Sequence, residues 1–238
     1  VKGKTRIIEP VCTRDHTERM LRLFKAKIKS VRNTITLEGE AKLVSPQNIY
    51  VPGDISSAAF FMVMAAILTN SRILIKKISL NPTRMGVVRV LKRMGADIKV
   101  TRFRRRRTRL RRAPCRQVTR SEPVGNIIVK TSSLKGTVVK KNEIPSLIDE
   151  LPILMVAACF AQGKTIFEGV GELRVKETNR INSMSEDLRE MGANIKVLKA
   201  DKSENIVIRG AKGLHGAWVK SFGDHRTAMS MVVAGLAA

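Results

Sequence analysis

The sequence is poor in aromatic residues and in acidic ones. Phe, Trp and Tyr make up 4% of its 238 residues, which is few for a surface that stacks on nucleic-acid bases. Asp and Glu number 20 against 45 Lys and Arg, so the formal net charge is +25 and we expect anionic partners. No apolar run reaches the roughly 18 residues of a membrane span. The 43% hydrophobic content excludes wholesale disorder.

Cysteine is also scarce. The three cysteines lie far apart, and no His, Cys and Asp spacing predicts a zinc site. Widely spaced cysteines in odd number favour a reducing compartment, so we expect a cytoplasmic protein. The sequence lacks the glycine-rich loops that cradle phosphates in P-loop and dinucleotide-binding proteins. We therefore expect neither a metal nor a cofactor.

One stretch concentrates the basic charge. Residues 102–120 hold ten of the 45 basic residues and no acid. Such a block repels itself and is usually a solvated loop. The functional alternative is a basic nucleic-acid-binding module, whose affinity would fall steeply with salt. The flanking segments both resemble strands, which favours a hairpin on the surface.

A ten-residue segment occurs twice and, more weakly, a third time. The copies are residues 91–100, residues 188–197 and the weaker residues 21–29. Each has the pattern of an amphipathic helix end, a turn and a strand. The turn needs a left-handed residue, which suits Gly95 and Gly192, whereas Lys25 would be strained there. A repeat of this length indicates duplicated supersecondary units.

Three apolar runs follow an aspartate. They begin after Asp54, Asp149 and Asp224, and they are apolar on nearly every helical face, which predicts buried helices with an acid at the N-terminus. Strand-like segments follow at residues 72–76 and 165–168. The pattern predicts a repeated β-α-β-α-β-β module and an α+β or α/β fold. Whether its strands pair in parallel or antiparallel stays open.

The loops that precede the helices are rich in hydroxyls and cations. They are residues 13–19, 81–84, 176–180 and 224–227. Helix N-termini and arginines both favour carboxylate or phosphate, so four such loops predict an anion-lined face. Asp149 precedes too apolar a helix to be freely solvated, so it is either a tuned base or a helix N-cap. Glu177 lies between cations, either as a proton-exchanging group or in a surface salt bridge.

Six motifs in these loops occur in a family-specific order. They are TRDHTERM (13–20), PGDISSA (52–58), NPTR (81–84), IDELP (148–152), ELRVKETNR (172–180) and GDHRTAM (223–229). Together they resemble the 3-phosphoshikimate 1-carboxyvinyltransferase (EPSP synthase) family. The resemblance implies an inside-out α/β barrel of repeated modules around buried helices. It also implies transfer of the enolpyruvyl group of phosphoenolpyruvate to the 5-hydroxyl of shikimate 3-phosphate, with release of phosphate.

The resemblance implies roles on the shikimate 3-phosphate side of the site. Thr13 and Arg14 would hold the phosphate of that substrate. Asp149 would be the base at the 5-hydroxyl, and Lys176 would contact the same hydroxyl. Glu172 would line the ring of the substrate.

The resemblance also implies roles on the phosphoenolpyruvate side. Arg180 and Arg226 would bind its carboxylate and phosphate. Glu177 would donate and accept the proton at its methylene carbon. Asn179 stands where the family usually has Asp, which removes a negative charge beside Arg180.

The resemblance predicts a fragment. Residues 1–50 would be the C-terminal tail of a first domain, and residues 51–238 a second domain truncated at its C-terminus, with the crossover at residues 50–53. Half of the cleft would be absent, so the chain alone would be inactive. The full-length protein would be a cytoplasmic monomer without nucleic-acid or membrane partners. The nearest alternative is a UDP-N-acetylglucosamine 1-carboxyvinyltransferase-like enzyme, and the alternative of another class is the nucleic-acid-binding module.

Overall fold

A computed structural model describes residues 2–103, 122–200, 203–210 and 213–238. In chain order, the strands and helices are β1 (Lys4–Ile8), α1 (His16–Leu23), β2 (Ile28–Val31), β3 (Thr34–Glu38), α2 (Ile55–Ile67), β4 (Arg72–Ser79), α3 (Gly86–Arg93), β5 (Asp97–Arg102), β6 (Val124–Lys130), β7 (Val138–Val139), α4 (Leu151–Cys159), β8 (Lys164–Phe167), α5 (Arg180–Glu190), β9 (Asn194–Ala200), β10 (Ser203–Arg209) and α6 (His225–Leu236). Most of the basic stretch at residues 102–120 lies outside the described residues.

Three β-α-β-β units build three sheets with the same strand order. The first unit is β1-α1-β2-β3, the second β4-α3-β5-β6 and the third β8-α5-β9-β10. In each unit the last strand lies between the other two and is antiparallel to both. The predicted repeat is therefore confirmed, including its weaker first copy.

Parallel pairing completes the predicted module. In the third unit β7 pairs in parallel with β8, so β7-α4-β8-α5-β9-β10 is a full β-α-β-α-β-β module. In the second unit Gly53 forms a parallel bridge with Ile78 of β4 at the equivalent place. A Cβ on Gly53 would lie 2.8 Å from the end of the Ile78 side chain, which would have to move to admit it. The pairing direction that the sequence left open is thus parallel between β7 and β8 and antiparallel among the three strands of each unit.

Of the three predicted buried helices, α2 and α4 are largely buried, whereas α6 exposes Met229, Val232 and Leu236. α2, α4 and α6 pack on one another, and all residues of α4 are buried. Asp54 caps α2 by accepting hydrogen bonds from the amides of Ser56 and Ser57. Asp224 caps α6 in the same way, through the amides of Arg226 and Thr227.

The helix α4 begins differently. Asp149 lies in a 3-10 turn, Ile148–Glu150, and α4 starts after it at Leu151 with no side-chain cap. The alternative of Asp149 as an N-cap is therefore wrong. Pro152 in the first turn has no N–H, which leaves one amide fewer to be capped.

The turns after the amphipathic helices have the expected conformation. The φ angles are 63° at Lys25, 95° at Gly95 and 88° at Gly192. Lysine has a Cβ that is strained in this left-handed region, whereas glycine adopts it freely. The strain predicted for Lys25 is therefore present.

Candidate active site

Three arginines surround one carboxylate where four segments meet. Arg14 directly precedes the cap of α1, Arg180 is the first residue of α5, and Arg226 is the second residue of α6. The Asp149 carboxylate lies 2.5 Å from Nη2 of Arg14, 3.5 Å from Nη1 of Arg180 and 3.6 Å from Nη2 of Arg226. Arg226 also donates to the backbone carbonyl of Asp149. We call Arg14, Arg180 and Arg226 the arginine cluster.

The arginine cluster determines the charge state of Asp149. Burial by itself would raise the pKa of this carboxyl, but the hydrogen bond from Arg14 and the charges of all three arginines outweigh burial. The net pKa of Asp149 is lowered from its ordinary value of 3.8. In this arrangement Asp149 is therefore ionised at neutral pH and accepts hydrogen bonds.

Arg180 is held from several sides. Its side chain is fully buried, its Nε donates to Asp224 at 2.7 Å, and its Nη2 donates to Glu177. Its Nη1 is buried without a hydrogen-bond partner among the described residues, and it points to the side of Asp149. Burial would raise the pKa of the Asp224 carboxyl, but the hydrogen bond and charge of Arg180 and the amides of Arg226 and Thr227 lower it overall. A buried guanidinium fixed by two carboxylates can present its remaining nitrogen to an anion.

The departure at Asn179 leaves Arg180 in place. Asn179 is the N-cap of α5, and its side-chain oxygen accepts a hydrogen bond from the amide of Asn182. Asparagine and aspartate cap helices about equally well. The charge lost at this position is not needed to fix Arg180, since Asp224 and Glu177 already bind it.

The other predicted site residues form pairs of their own. Lys176 lies 3.0 Å from Glu172, four residues earlier. Thr13 donates its hydroxyl hydrogen to Glu9 at 2.7 Å. Glu177 is about half exposed and contacts Arg180. The structure thus brings Asp149, Glu177 and the arginine cluster together, whereas Thr13, Lys176 and Glu172 lie in contacts outside that group.

Arg84 does not join the predicted anion-lined face. It forms an ion pair with Asp54 at 2.7 Å and donates a hydrogen bond to the Ser56 hydroxyl. Ser56 in turn donates to Glu150, which is 1% exposed. Burial raises the pKa of Glu150, although Ser56 and Arg84 act in the opposite direction. In this loop the arginine is bound to Asp54 and Ser56, and it is not among the three arginines that surround Asp149.

A second buried polar group lies beside Arg14. Asn81 is fully buried and donates to Asp15 at 2.7 Å and to Glu122 at 3.0 Å. Arg19 also donates to Asp15, at 2.8 Å. The sequence placed Asn81, Asp15 and Arg19 in helix-entry loops, but nothing in it indicated that Asn81 and Asp15, 66 positions apart, are in contact.

Two other kinds of site are absent from the part of the chain that the structure describes. Within the described ranges, no group of three or more His, Cys, Asp and Glu is arranged to hold a metal ion. No helix in those ranges is both long and apolar enough to cross a bilayer. An open depression of about 410 Å³ lies on the outer face of the sheet that contains β8, β9 and β10, and no residue of the arginine cluster lines it. Cys159 is buried, which raises the pKa of its thiol to about 12.

Comparisons with known proteins agree on one family. The sequence profile of EPSP synthase (3-phosphoshikimate 1-carboxyvinyltransferase) matches residues 1–238. A 3-phosphoshikimate 1-carboxyvinyltransferase of Petrotoga mobilis is 43% identical over 238 residues, which cover 100% of this chain and 51% of the relative. One of Desulforamulus reducens is 45% identical over 237 residues, again covering 100% of this chain and 51% of the relative. The chain thus spans about half the length of the curated relatives it matches.

Solved structures give the same result. An EPSP synthase from Acinetobacter baumannii superposes with a TM-score of 0.80 at 41% identity, over 99% of this chain and 51% of that one. The enolpyruvyl transferase NikO from Streptomyces tendae superposes with a TM-score of 0.65 at 15% identity, over 98% of this chain and 49% of that one. The second likeness is evidence for the fold alone. The predicted fold class, repeated modules around buried helices, is confirmed.

Proposed function

Because the chain belongs to the EPSP synthase (3-phosphoshikimate 1-carboxyvinyltransferase) family, we propose that it forms one side of the cleft for that reaction. The enolpyruvyl group of phosphoenolpyruvate would pass to the 5-hydroxyl of shikimate 3-phosphate, giving 5-enolpyruvylshikimate 3-phosphate and inorganic phosphate. The observation that supports this most is the convergence of the arginine cluster on Asp149. Both substrates are anions, and arginine forks bind carboxylate and phosphate.

The same geometry makes Asp149 a suitable base for the 5-hydroxyl. In this arrangement Arg14 and Arg226 contact the carboxylate, and they help to hold its pKa low. A substrate phosphate that takes over Arg14 would remove the hydrogen bond with which Arg14 lowers that pKa. The basicity of Asp149 would therefore rise when the anions are in place, next to the hydroxyl that must lose its proton.

The proposed steps balance in atoms and protons. The 5-hydroxyl oxygen bonds to C2 of phosphoenolpyruvate as its proton passes to Asp149, and C3 takes a proton from Glu177. The resulting tetrahedral intermediate then breaks its C2–O bond to phosphate as C3 returns its proton to Glu177. The proton on Asp149 leaves with the phosphate. Arg180 and Arg226 bind the phosphoenolpyruvate, Arg14 and Thr13 the shikimate phosphate, and Lys176 and Glu172 the ring side.

The proposal extends to the organisation of the whole protein. The strands β1, β3 and β2 form a sheet of their own, and we assign residues 1–50 to the tail of a first domain and residues 51–238 to a second. Tyr50 and Val51, at the proposed crossover, are exposed. A cytoplasmic location and a monomeric state of the full-length enzyme belong to the same proposal. The activity would need the other half of the length of the relatives, so the chain alone would not turn over.

Binding and turnover test the proposal separately. We expect the chain to bind shikimate 3-phosphate weakly, with a Kd on the order of 1 mM or below, in an NMR titration. Arg14→Met should weaken this binding by about tenfold, since it removes a charge-assisted contact to phosphate. Arg72→Met is the matched control, because Arg72 is an exposed arginine on an outer sheet face.

Turnover is measured as phosphate release with both substrates present. We expect none from the chain alone, and turnover when the half of the Petrotoga mobilis relative that the chain does not match is added. Turnover by the chain alone would contradict the half-cleft proposal. Tighter binding of UDP-N-acetylglucosamine than of shikimate 3-phosphate would contradict the proposed substrate.

A further inference from the structure

We propose that the turn at residues 81–84 is a positioning device for the Arg14–Asp149 pair. One end of the turn, Asn81, fixes the segment that holds Arg14. The other end, Arg84, fixes the segment that holds Asp149. Its importance for catalysis rests on the proposed function, whereas the contacts that define it do not.

The first arm runs through Asn81. Its Nδ2 donates to Asp15 at 2.7 Å, and Asp15 is the residue directly after Arg14. Both side chains are at least 98% buried, with exposures of 0% and 2%. A buried hydrogen bond to a carboxylate is costly to break, because the partner left behind has no water to replace it. The backbone at residues 14 and 15 is therefore tied to the turn.

The second arm runs through Arg84 and Ser56. Arg84 donates to the Ser56 hydroxyl, and Ser56 donates to Glu150, the residue directly after Asp149. Ser56 is fully buried and Glu150 is 1% exposed. An exposed glutamate could move freely, but this one is enclosed and bonded. The backbone at residues 149 and 150 is therefore tied to the same turn.

The turn itself is rigid. The Asn81 side-chain oxygen accepts from the amide of Thr83 at 3.0 Å and from its hydroxyl at 2.8 Å. The Arg84 amide donates to the backbone carbonyl of Asn81 at 2.9 Å. Pro82 fixes its own φ angle. The two arms therefore begin at the two ends of one rigid turn, so the distance between Asn81 and Arg84 is fixed.

The contact between Arg14 and Asp149 joins the two arms into a closed loop of contacts. It runs from Asn81 to Asp15, across the 2.5 Å contact of Arg14 with Asp149, and back through Glu150, Ser56 and Arg84. Cutting either arm should let Arg14 and Asp149 move apart. The groups that face Asp149 would otherwise stay the same: Arg180, Arg226 and the neighbouring Glu150.

Two variants cut one arm each, and each has a matched control. Ser56→Ala removes the hydroxyl that links Arg84 to Glu150, while Ser57→Ala removes the neighbouring hydroxyl, which contacts Asp54 instead. Asn81→Ala removes the amide that binds Asp15. Its control is Asn48→Ala, which makes the same change at an exposed asparagine outside the turn and both arms.

The readouts are the pKa of the Asp149 carboxyl, from a ¹³C NMR titration, and the Kd of shikimate 3-phosphate. In Ser56→Ala and Asn81→Ala we expect the pKa to rise toward its ordinary value and the Kd to rise about tenfold, which corresponds to about 1.4 kcal/mol. Neither control should change either quantity. If Asn81→Ala does not fold, Ser56→Ala decides, since it deletes one oxygen from a helix that keeps its cap.

The outcomes separate the two proposals. A pKa that is unchanged in Ser56→Ala, or that changes equally in Ser57→Ala, would overturn the positioning role. A pKa that rises as expected, in a chain that binds no shikimate 3-phosphate at all, would support the positioning role and contradict the proposed function.

Discussion

The buried ion pair between Arg180 and Asp224 gives the most demanding test of the structure. Asp224→Asn removes the negative charge that faces Arg180 Nε at 2.7 Å. It leaves the cap of α6 in place, because an asparagine oxygen can accept the same amide hydrogen bonds from Arg226 and Thr227. The variant therefore isolates the ion pair from the cap.

The magnitude follows from burial. Both side chains of the pair are 0% exposed, and removing one partner of a buried ion pair costs about 3–5 kcal/mol. Arg180 keeps its contacts with Glu177 and Asp149, so we expect the lower end of that range, about 3 kcal/mol. Typical domains have about 5–15 kcal/mol in total. The variant should therefore fold but unfold at clearly lower denaturant.

Asp54→Asn is the matched control. Asp54 caps α2 as Asp224 caps α6, and it pairs with Arg84 at 2.7 Å. Its side chain is 41% exposed, and exposed ion pairs contribute only about 0–1 kcal/mol. We expect urea unfolding at pH 7 to show a loss below about 1 kcal/mol for Asp54→Asn.

The pH dependence has a fixed sign. Asp224 has a pKa below its ordinary value of 3.8, so its stabilisation is present above that value and lost as pH falls through the lowered pKa. The difference between the native chain and Asp224→Asn should therefore shrink below about pH 4. Equal losses in the two variants at pH 7, or a difference that grows in acid, would refute the assignment of a buried ion pair.

Two further variants test single features. Glu150→Gln keeps an acceptor for Ser56 and removes a carboxyl whose pKa burial raises above 4.5. The variant should therefore be more stable than the native chain at pH 7, and this advantage should vanish below about pH 4. Urea unfolding at both pH values measures the difference, and a variant less stable at pH 7 would contradict the burial argument. Lys25→Gly relieves the strain of a φ of 63°. It should stabilise the chain by about 0.5–1 kcal/mol, which is the left-handed strain removed minus the backbone entropy that glycine loses on folding. No gain in the thermal unfolding temperature would show that the strain at Lys25 is negligible.

Features that depend on neighbouring residues could be predicted from the sequence. The buried helices α2 and α4 follow from apolar runs that extend over nearly every helical face, whereas the similar run of α6 leaves Val232 and Leu236 exposed. The left-handed turns follow from a glycine after an amphipathic pattern. The acids Asp54 and Asp224 cap their helices as their position indicates. The strand order of the three sheets follows less directly, but once one unit is known the repeat transfers it to the others.

Features that depend on distant contacts could not be predicted. Asp149 has the same sequence context as Asp54 and Asp224, yet it binds arginines from three other segments and caps nothing. Arg84 and Arg180 stand in the same kind of loop, and each pairs with the aspartate that caps a buried helix, yet Arg180 also lies 3.5 Å from Asp149, whereas Arg84 contacts Ser56. Local composition is alike in both comparisons, and what differs is the residue that the fold brings opposite.

The net charge of +25 suggests that cations of the site are unpaired, but in the structure they already contact carboxylates. Each member of the arginine cluster already contacts a carboxylate, and Arg180 contacts three. The arginine cluster is therefore not a group of unpaired cations. An anion that takes over Arg14 would displace Asp149 from that arginine, and in the proposed reaction Asp149 is the base. Under that proposal the anion and the base compete for one guanidinium group, so binding of the anion and activation of the base are coupled through Arg14.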